Sequence, residues 1–179
     1  PNWAQGDSLD HVFCSDRILV PTRGISLAKA FDNTLLMGWI NTTDYRVTVA
    51  AGTYTLNQSA WNHVLITWDD TANETKAYLN GSQVGSTVTS LVLPLQTETF
   101  IIGNHPSGVG AIDMDGRIAE VGFWNVVLNA GDRQKLSNYV RPSQIKPGDL
   151  IDYWALDPGN ADPEPDTGSG NFDGTVENV

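Results

Sequence analysis

Short runs of β-branched, aromatic and other apolar residues alternate with turn residues along the whole chain. In the run from Asn62 to Asp69, Val64, Ile66 and Trp68 share one face and leave less apolar side chains on the other. Glycine and proline residues separate such runs. This rhythm predicts strands at His11–Val20, Thr34–Ile40, Tyr45–Ala50, Asn62–Asp69, Lys76–Leu79, Ser82–Gly85, Thr99–Gly103, Gly116–Trp124, Leu150–Trp154 and Phe172–Val176.

Two local signals are sharper than the rest. Within Lys76–Val84, the pair Asn80-Gly81 tolerates the two positive φ angles of a tight turn, which predicts a β-hairpin. The segment Ala130–Val140 predicts the one helix, with Asn129 as its cap and Pro142 as its stop. Many strands, one short helix and no repeated strand–helix units favour an all-β fold of two packed antiparallel sheets.

Length and charge narrow the function classes. The 179 residues predict a single domain over 1–179, with 1–10 as an N-terminal arm and 158–174 as a long loop before the last strand. The net charge of −11 would repel nucleic acids and anionic membranes, so we expect neither as a partner. A single cysteine, Cys14, excludes an internal disulfide and a thiolate zinc site.

A series of motifs resembles a known family. In order, they are Trp61-Asn62-His63-Val64, Ala77-Tyr78-Leu79-Asn80-Gly81, Ile102-Gly103, Gly116-Arg117-Ile118-Ala119-Glu120-Val121 and Asn125-Val126-Val127-Leu128. The chain from about Leu35 to Val140 resembles the concanavalin A-like, laminin-G-like jelly-roll domains. The resemblance implies a jelly-roll β-sandwich of the concanavalin A-like lectin/glucanase type with one short helix. The C-terminal segment is similar to jelly-roll proteins of phages and environmental microbes.

Some relatives of this fold are glucanases, so a pair of catalytic carboxylates has to be considered. A retaining glycosidase needs two carboxyl groups about 5–5.5 Å apart. Asp113 and Asp115 are two residues apart, no glutamate occupies either position, and Glu120 follows five residues later. The three histidines show no metal-binding spacing. We therefore expect no catalysis, and a divergent hydrolase or lyase is the third alternative.

Calcium is the one cofactor that the sequence raises, because many laminin-G-like domains hold this ion at a rim loop. Asp113 and Asp115 are the candidate ligands, and Asp166, Asn171 and Asp173 form a second oxygen-rich cluster. Asx turns use the same residue types. The sequence predicts no cofactor, with calcium as the alternative.

Aromatic and polar side chains in the predicted loops are the candidate ligand contacts. Tyr45 and Tyr54 would contact a sugar ring, and Asn104 and His105 would bind its hydroxyl groups. The tryptophans at 39, 61, 68, 124 and 154 are predicted to pack in the core, whereas Trp3 would anchor the arm.

The predicted function is a non-catalytic surface-attachment module. The first hypothesis is a capsid decoration or fibre-associated protein on a virion surface, with a capsid or other virion protein as its partner. The alternative is an extracellular, lectin-like domain that binds a glycan. A homo-oligomer is compatible with either.

Overall fold

The computed structural model describes residues 4, 6–16, 18–19, 22–57, 59–92, 99–104, 114–156, 164–170 and 172–175. The chain divides into two compact units, Pro1–Arg117 and Ile118–Val179. Each unit is described separately below.

The first unit contains nine of the strands. They are β1 (His11–Ser15), β2 (Ile18–Leu19), β3 (Thr22–Lys29), β4 (Leu35–Asn41), β5 (Thr43–Val49), β6 (Val64–Asp69), β7 (Glu74–Leu79), β8 (Ser82–Thr89) and β9 (Ile101–Ile102). One antiparallel sheet has the order β5-β4-β3-β1-β9, and β2 pairs with β3. The other has the order β6-β7-β8.

The core of the first unit lies between these two sheets. Its buried side chains come from both sheets and from the segment that links them: Leu35, Met37, Val47, Val49, Tyr54, Leu56, Ala77 and Leu79. Trp39 and Trp68 also meet there, with ring centroids 6.4 Å apart. The antiparallel β-sandwich predicted from the strand pattern is confirmed.

Two close approaches show how the sheets are aligned. A Cβ on Gly38 of β4, which pairs with Arg46 in the middle of β5, would lie 3.7 Å from Thr75 near the start of β7. A Cβ on Gly85 of β8 would lie 2.6 Å from Val47 and 3.2 Å from Val49. The end of β5 at Val49 therefore lies at the same end of the β-sandwich as the Asn80-Gly81 turn of the second sheet. The β3–β4 turn lies at this same end, because Leu35 pairs with Val49.

The second unit contains β10 (Val121–Trp124), helix α1 (Ala130–Ser137), a 3-10 helix (Pro142–Gln144) and β11 (Leu150–Trp154). Strands β10 and β11 form an antiparallel pair. Helix α1 packs Leu136 against Leu128 and Ile145. Asn129 caps the helix as predicted, because its side chain accepts a hydrogen bond from the Asp132 N–H while Asp132 bonds back to the Asn129 N–H.

The observed strands differ from the predicted ones in two places. Strand β3 was not predicted at all. The predicted strand Phe172–Val176 is wrong over its described residues, where a single bridge joins Gly174 to Glu164. In the described part of the 1–10 arm, Asp7 and Asp10 accept hydrogen bonds from Lys29 and Phe31 of the same unit. A single domain over 1–179 stays a prediction. None of the helices in the described ranges has the length and apolar run needed to cross a bilayer.

Candidate functional site

Trp61 is the feature of the first unit that stands out most. It precedes β6, and half of its surface (50%) is exposed to solvent. The sequence-based prediction of a core position is wrong for this tryptophan. A large indole that is half-exposed to solvent is typical of recognition sites, because it offers contact area with few rotatable bonds.

The loop that carries Trp61 is held by asparagine side chains. The Asn57 N–H donates to Asn62 Oδ1 at 2.8 Å, and Asn62 Nδ2 donates back to the Asn57 carbonyl at 2.8 Å. The Ser59 N–H donates to Asn57 Oδ1 at 3.1 Å. These bonds close the loop on both sides of Trp61, so its backbone is fixed before any ligand arrives.

The neighbouring hairpin turn braces the same loop. Asn80 accepts a hydrogen bond from the His63 N–H and donates its own N–H to the His63 carbonyl, both at 2.8 Å. Its side-chain nitrogen reaches Asn62 Oδ1 at 3.3 Å. We call the exposed face formed by Trp61, Asn57, Ser59, Asn62 and Asn80 the Trp61 surface.

The His63 side chain beside this loop carries no charge. Burial lowers the pKa of the His63 imidazole to about 4, so the ring is neutral at physiological pH. Its Nδ1 atom has no hydrogen-bond partner among the described residues. The hydrogen bonds at this position are made by the His63 backbone rather than by its ring.

Of the four predicted ligand contacts, the three that the structure describes do not lie together. Tyr54 is buried in the core and donates its hydroxyl to the Asn33 carbonyl at 2.7 Å. Tyr45 lies on β5 and Asn104 follows β9, at opposite edges of a sheet whose strands are about 4.8 Å apart. His105 lies outside the described residues. Tyr45, Tyr54, Asn104 and His105 stay a prediction as a set.

The predicted metal ligands are only partly described. Asp113 lies outside the described residues, and Asp115 is exposed. Within the described ranges, no three histidine, cysteine or acidic side chains converge as a metal site requires. Calcium at Asp113 and Asp115 stays a prediction.

The second acidic cluster has another use. The Asp166 carboxylate accepts hydrogen bonds from the N–H groups of Tyr153, Gly168 and Phe172 at 2.8, 2.7 and 2.9 Å. Burial alone would raise the pKa of Asp166, but these bonds outweigh it and lower that pKa. Its oxygens therefore organise a loop over β11, and calcium at this cluster stays a prediction. Asn171 lies outside the described residues.

Asp152 lies beneath this loop. Burial first, and then the charge and hydrogen bond of Asp166, raise the pKa of the Asp152 carboxyl. The Gly170 N–H donates to the Ile151 carbonyl at 2.6 Å, and a Cβ on Gly170 would overlap Asp152. The Asp166 carboxylate and the Gly170 backbone thus fasten a glycine-rich loop onto β11, and the Asp152 carboxyl is covered by it.

The comparisons with known proteins agree with this architecture. Residues 9–132 match a family model described as the concanavalin A-like lectin/glucanases superfamily. A proposed carbohydrate binding protein from Bacteroides ovatus ATCC 8483 has a similar structure, with a TM-score of 0.66 and 20% sequence identity over 93% of this chain. The likeness covers 47% of that chain, so the present chain spans about half its length.

An S-layer domain-containing protein from Clostridium thermocellum ATCC 27405 has 19% identity over 75% of this chain and 66% of its own, at a TM-score of 0.38. The search of curated proteins finds no match. The jelly-roll fold that the sequence motifs predict is confirmed by the family match and by the first structure.

Proposed function

The chain belongs to the concanavalin A-like lectin/glucanases superfamily, and from that premise we propose that it is a non-catalytic module that binds carbohydrate. Binding would attach the protein to a surface that displays glycans. The observation that carries the proposal is the half-exposed Trp61 on its asparagine-braced loop.

The chemistry of the Trp61 surface suits a sugar. The face of an indole ring carries negative electrostatic potential, which attracts the weakly positive C–H groups on the face of a pyranose ring. Asparagine and serine groups around the ring offer donors and acceptors for hydroxyl groups. Because the loop is already fixed, little conformational entropy is lost when a ligand binds.

Two further facts support binding without turnover. The similar structure from Bacteroides ovatus is described as a proposed carbohydrate binding protein. In the second unit, the Glu120 carboxylate accepts a hydrogen bond from the Tyr153 hydroxyl at 2.7 Å and lies 3.5 Å from the Arg141 guanidinium. The Asp166 carboxylate accepts hydrogen bonds from backbone N–H groups. These carboxylates hold structure together instead of facing a substrate.

The finer proposals concern location and partner. A glycan-binding module of this kind would work outside the cell, on a cell surface or on a virion. The role of a capsid decoration or fibre-associated protein, with or without a homo-oligomer, rests on the sequence resemblance alone. The Trp61 surface favours the glycan as the partner.

Affinity electrophoresis of the full chain tests the proposal. The gels would contain xylan, galactomannan or mixed-linkage β-glucan, and we expect at least one of them to retard the protein. Trp61→Ala should weaken that binding by about tenfold or more, which corresponds to about 1.4 kcal/mol.

Tyr139→Ala is the matched control, because Tyr139 is also highly exposed (66%) but lies in the second unit. It should bind like the wild type, and thermal melts should show that both variants are folded. Equal retardation of Trp61→Ala and wild type would contradict the proposal. Binding to isolated capsids without any glycan binding would favour the virion role instead.

A further inference from the structure

A second exposed aromatic side chain lies in the β3–β4 turn of the first unit. Phe31 is 64% exposed, and Leu9, the residue before Asp10, is 54% exposed. The Phe31 N–H donates to Asp10 Oδ1 at 2.6 Å, and the Leu9 carbonyl accepts from Lys29 Nζ at 2.8 Å. An exposed aromatic ring on a backbone fixed by hydrogen bonds offers a flat stacking surface with few rotatable bonds.

Phe31 and Trp61 lie at the same end of the β-sandwich. Phe31 is in the turn that precedes Leu35, and Leu35 pairs with Val49 at the end of β5. That end matches the Asn80-Gly81 turn, which is bonded to the Trp61 loop. The two rings therefore belong to opposite sheets at one end, and packed sheets are on the order of 10 Å apart.

The charges at this end are negative. Asp10 and Asp32 are acidic and form no ion pair among the described residues, whereas Asp7 is paired with Lys29. In the described segments at this end, there is no arginine, and the one lysine, Lys29, is fully buried. With a net charge of −11 on the whole chain, an acidic polysaccharide would be repelled.

We infer that this end of the first unit binds an extended, uncharged glycan chain, with Trp61 and Phe31 as two stacking platforms on opposite sheets. The inference rests on the proposed function and names its ligand class. A single sugar contacts one platform, whereas a longer chain contacts both at once. The second contact then acts at high effective concentration and raises the affinity.

Isothermal titration calorimetry of the full chain tests this inference. The probes are disaccharides and hexasaccharides of the cello-, xylo- and manno- series, with hexagalacturonate as the acidic counterpart. In at least one neutral series, we expect the hexasaccharide to bind about tenfold or more tightly than the disaccharide. Raising the salt from about 50 to about 500 mM should leave that affinity unchanged.

The variants separate the two platforms. Phe31→Ala should remove the advantage of the hexasaccharide and leave disaccharide binding unchanged, whereas Trp61→Ala should weaken both. Leu9→Ala, at another exposed apolar residue, is the matched control and should behave like the wild type. Phe31→Leu keeps an apolar side chain without a flat ring, and it should bind like Phe31→Ala.

Each failure has its own signature. If Phe31→Ala binds the hexasaccharide like the wild type while Trp61→Ala weakens both lengths, the two-platform inference is overturned and the proposed function stands. Tighter binding of hexagalacturonate than of the neutral hexasaccharides overturns the assignment of an uncharged ligand. If none of the oligosaccharides binds, both the inference and the proposed function fail.

Discussion

Replacing Asp7 with asparagine tests the buried charge cluster of the first unit. Lys29 is completely buried (0% exposed), and its ammonium donates to Asp7 Oδ1 at 2.5 Å and to the Leu9 carbonyl at 2.8 Å. Asp7 Oδ2 also lies 2.7 Å from His11 Nε2. Burial by itself would raise the pKa of Asp7, but the hydrogen bonds from Lys29 and His11 outweigh it and hold that pKa far below its usual range.

The magnitude follows from removing the Asp7 carboxylate from the buried Lys29 ammonium. Removing one partner of a buried ion pair costs about 3–5 kcal/mol, out of the roughly 5–15 kcal/mol that stabilise a typical domain. At about 2–4 °C per kcal/mol for a chain of this size, Asp7→Asn should lower Tm by roughly 6–20 °C. The double variant Asp7→Asn with Lys29→Met should recover part of that loss, because the buried Lys29 ammonium is then removed together with the carboxylate.

The pH dependence gives a second check. Since the folded pKa of Asp7 is depressed, its contribution is present above the unfolded value of about 3.9 and is lost as pH falls through the folded value. The Tm difference between wild type and Asp7→Asn should therefore be full at neutral pH and smaller in strong acid.

Circular dichroism melts at several pH values measure both effects. Asp32→Asn serves as the control, because Asp32 lies in an exposed turn of the same unit and accepts a hydrogen bond from the Thr34 N–H rather than from Lys29. A melt of Asp7→Asn within about 2 °C of the wild type at neutral pH would refute the assignment of Lys29 as a buried charge that depends on Asp7.

Two further substitutions have opposite expected effects. Asp152→Asn should raise Tm at neutral pH but not in strong acid. Because the folded pKa of Asp152 is raised, the contribution of this carboxyl to stability is full below its unfolded pKa of about 3.9 and is lost as pH rises through its folded pKa. Unchanged melts at neutral pH would contradict this. Gly85→Ala should lower the unfolding free energy by about 1–3 kcal/mol, since its Cβ would press on Val47. Gly52→Ala, also at positive φ but in open space, should cost less in chemical denaturation.

Elements that are decided by local chemistry could be predicted from the sequence. Asn80 and Gly81 have φ values of 50° and 81°, and Leu79 pairs with Ser82 across the turn, so the predicted hairpin is confirmed. Helix α1 begins after its predicted cap. In both cases a few adjacent residues determine the backbone geometry, and no distant partner is needed.

Strand β3 shows why other elements could not be predicted. It lies in the middle of its sheet, yet only Ile25 and Leu27 give the apolar alternation of a strand, and Lys29 occupies the next position on that face. Lys29 is tolerated there because Asp7, 22 residues away, supplies the countercharge. A pairing over that distance has no signature in a local pattern.

The Trp61 surface could not be predicted for a related reason. Alternation assigns a side chain to one face only within a strand, and Trp61 lies before β6 begins at Val64. Its exposure depends on bonds from Asn57 and Asn80, the second of which belongs to another element. The one available signal was a tryptophan among several asparagines, which the sequence-based assignment to the core overlooked.

The asparagines that brace Trp61 also determine how the protein has to be produced. Asn57-Gln58-Ser59 and Asn80-Gly81-Ser82 both form the acceptor triplet for N-linked glycosylation. Oligosaccharyltransferase modifies the side-chain nitrogen, and in Asn80 that nitrogen donates to Asn62. A yeast or mammalian secretory pathway could therefore place a bulky glycan on the Trp61 surface, next to the indole. Protein made in a bacterial cytoplasm would keep Trp61 uncovered, so the choice of expression host decides whether a binding assay samples this surface at all.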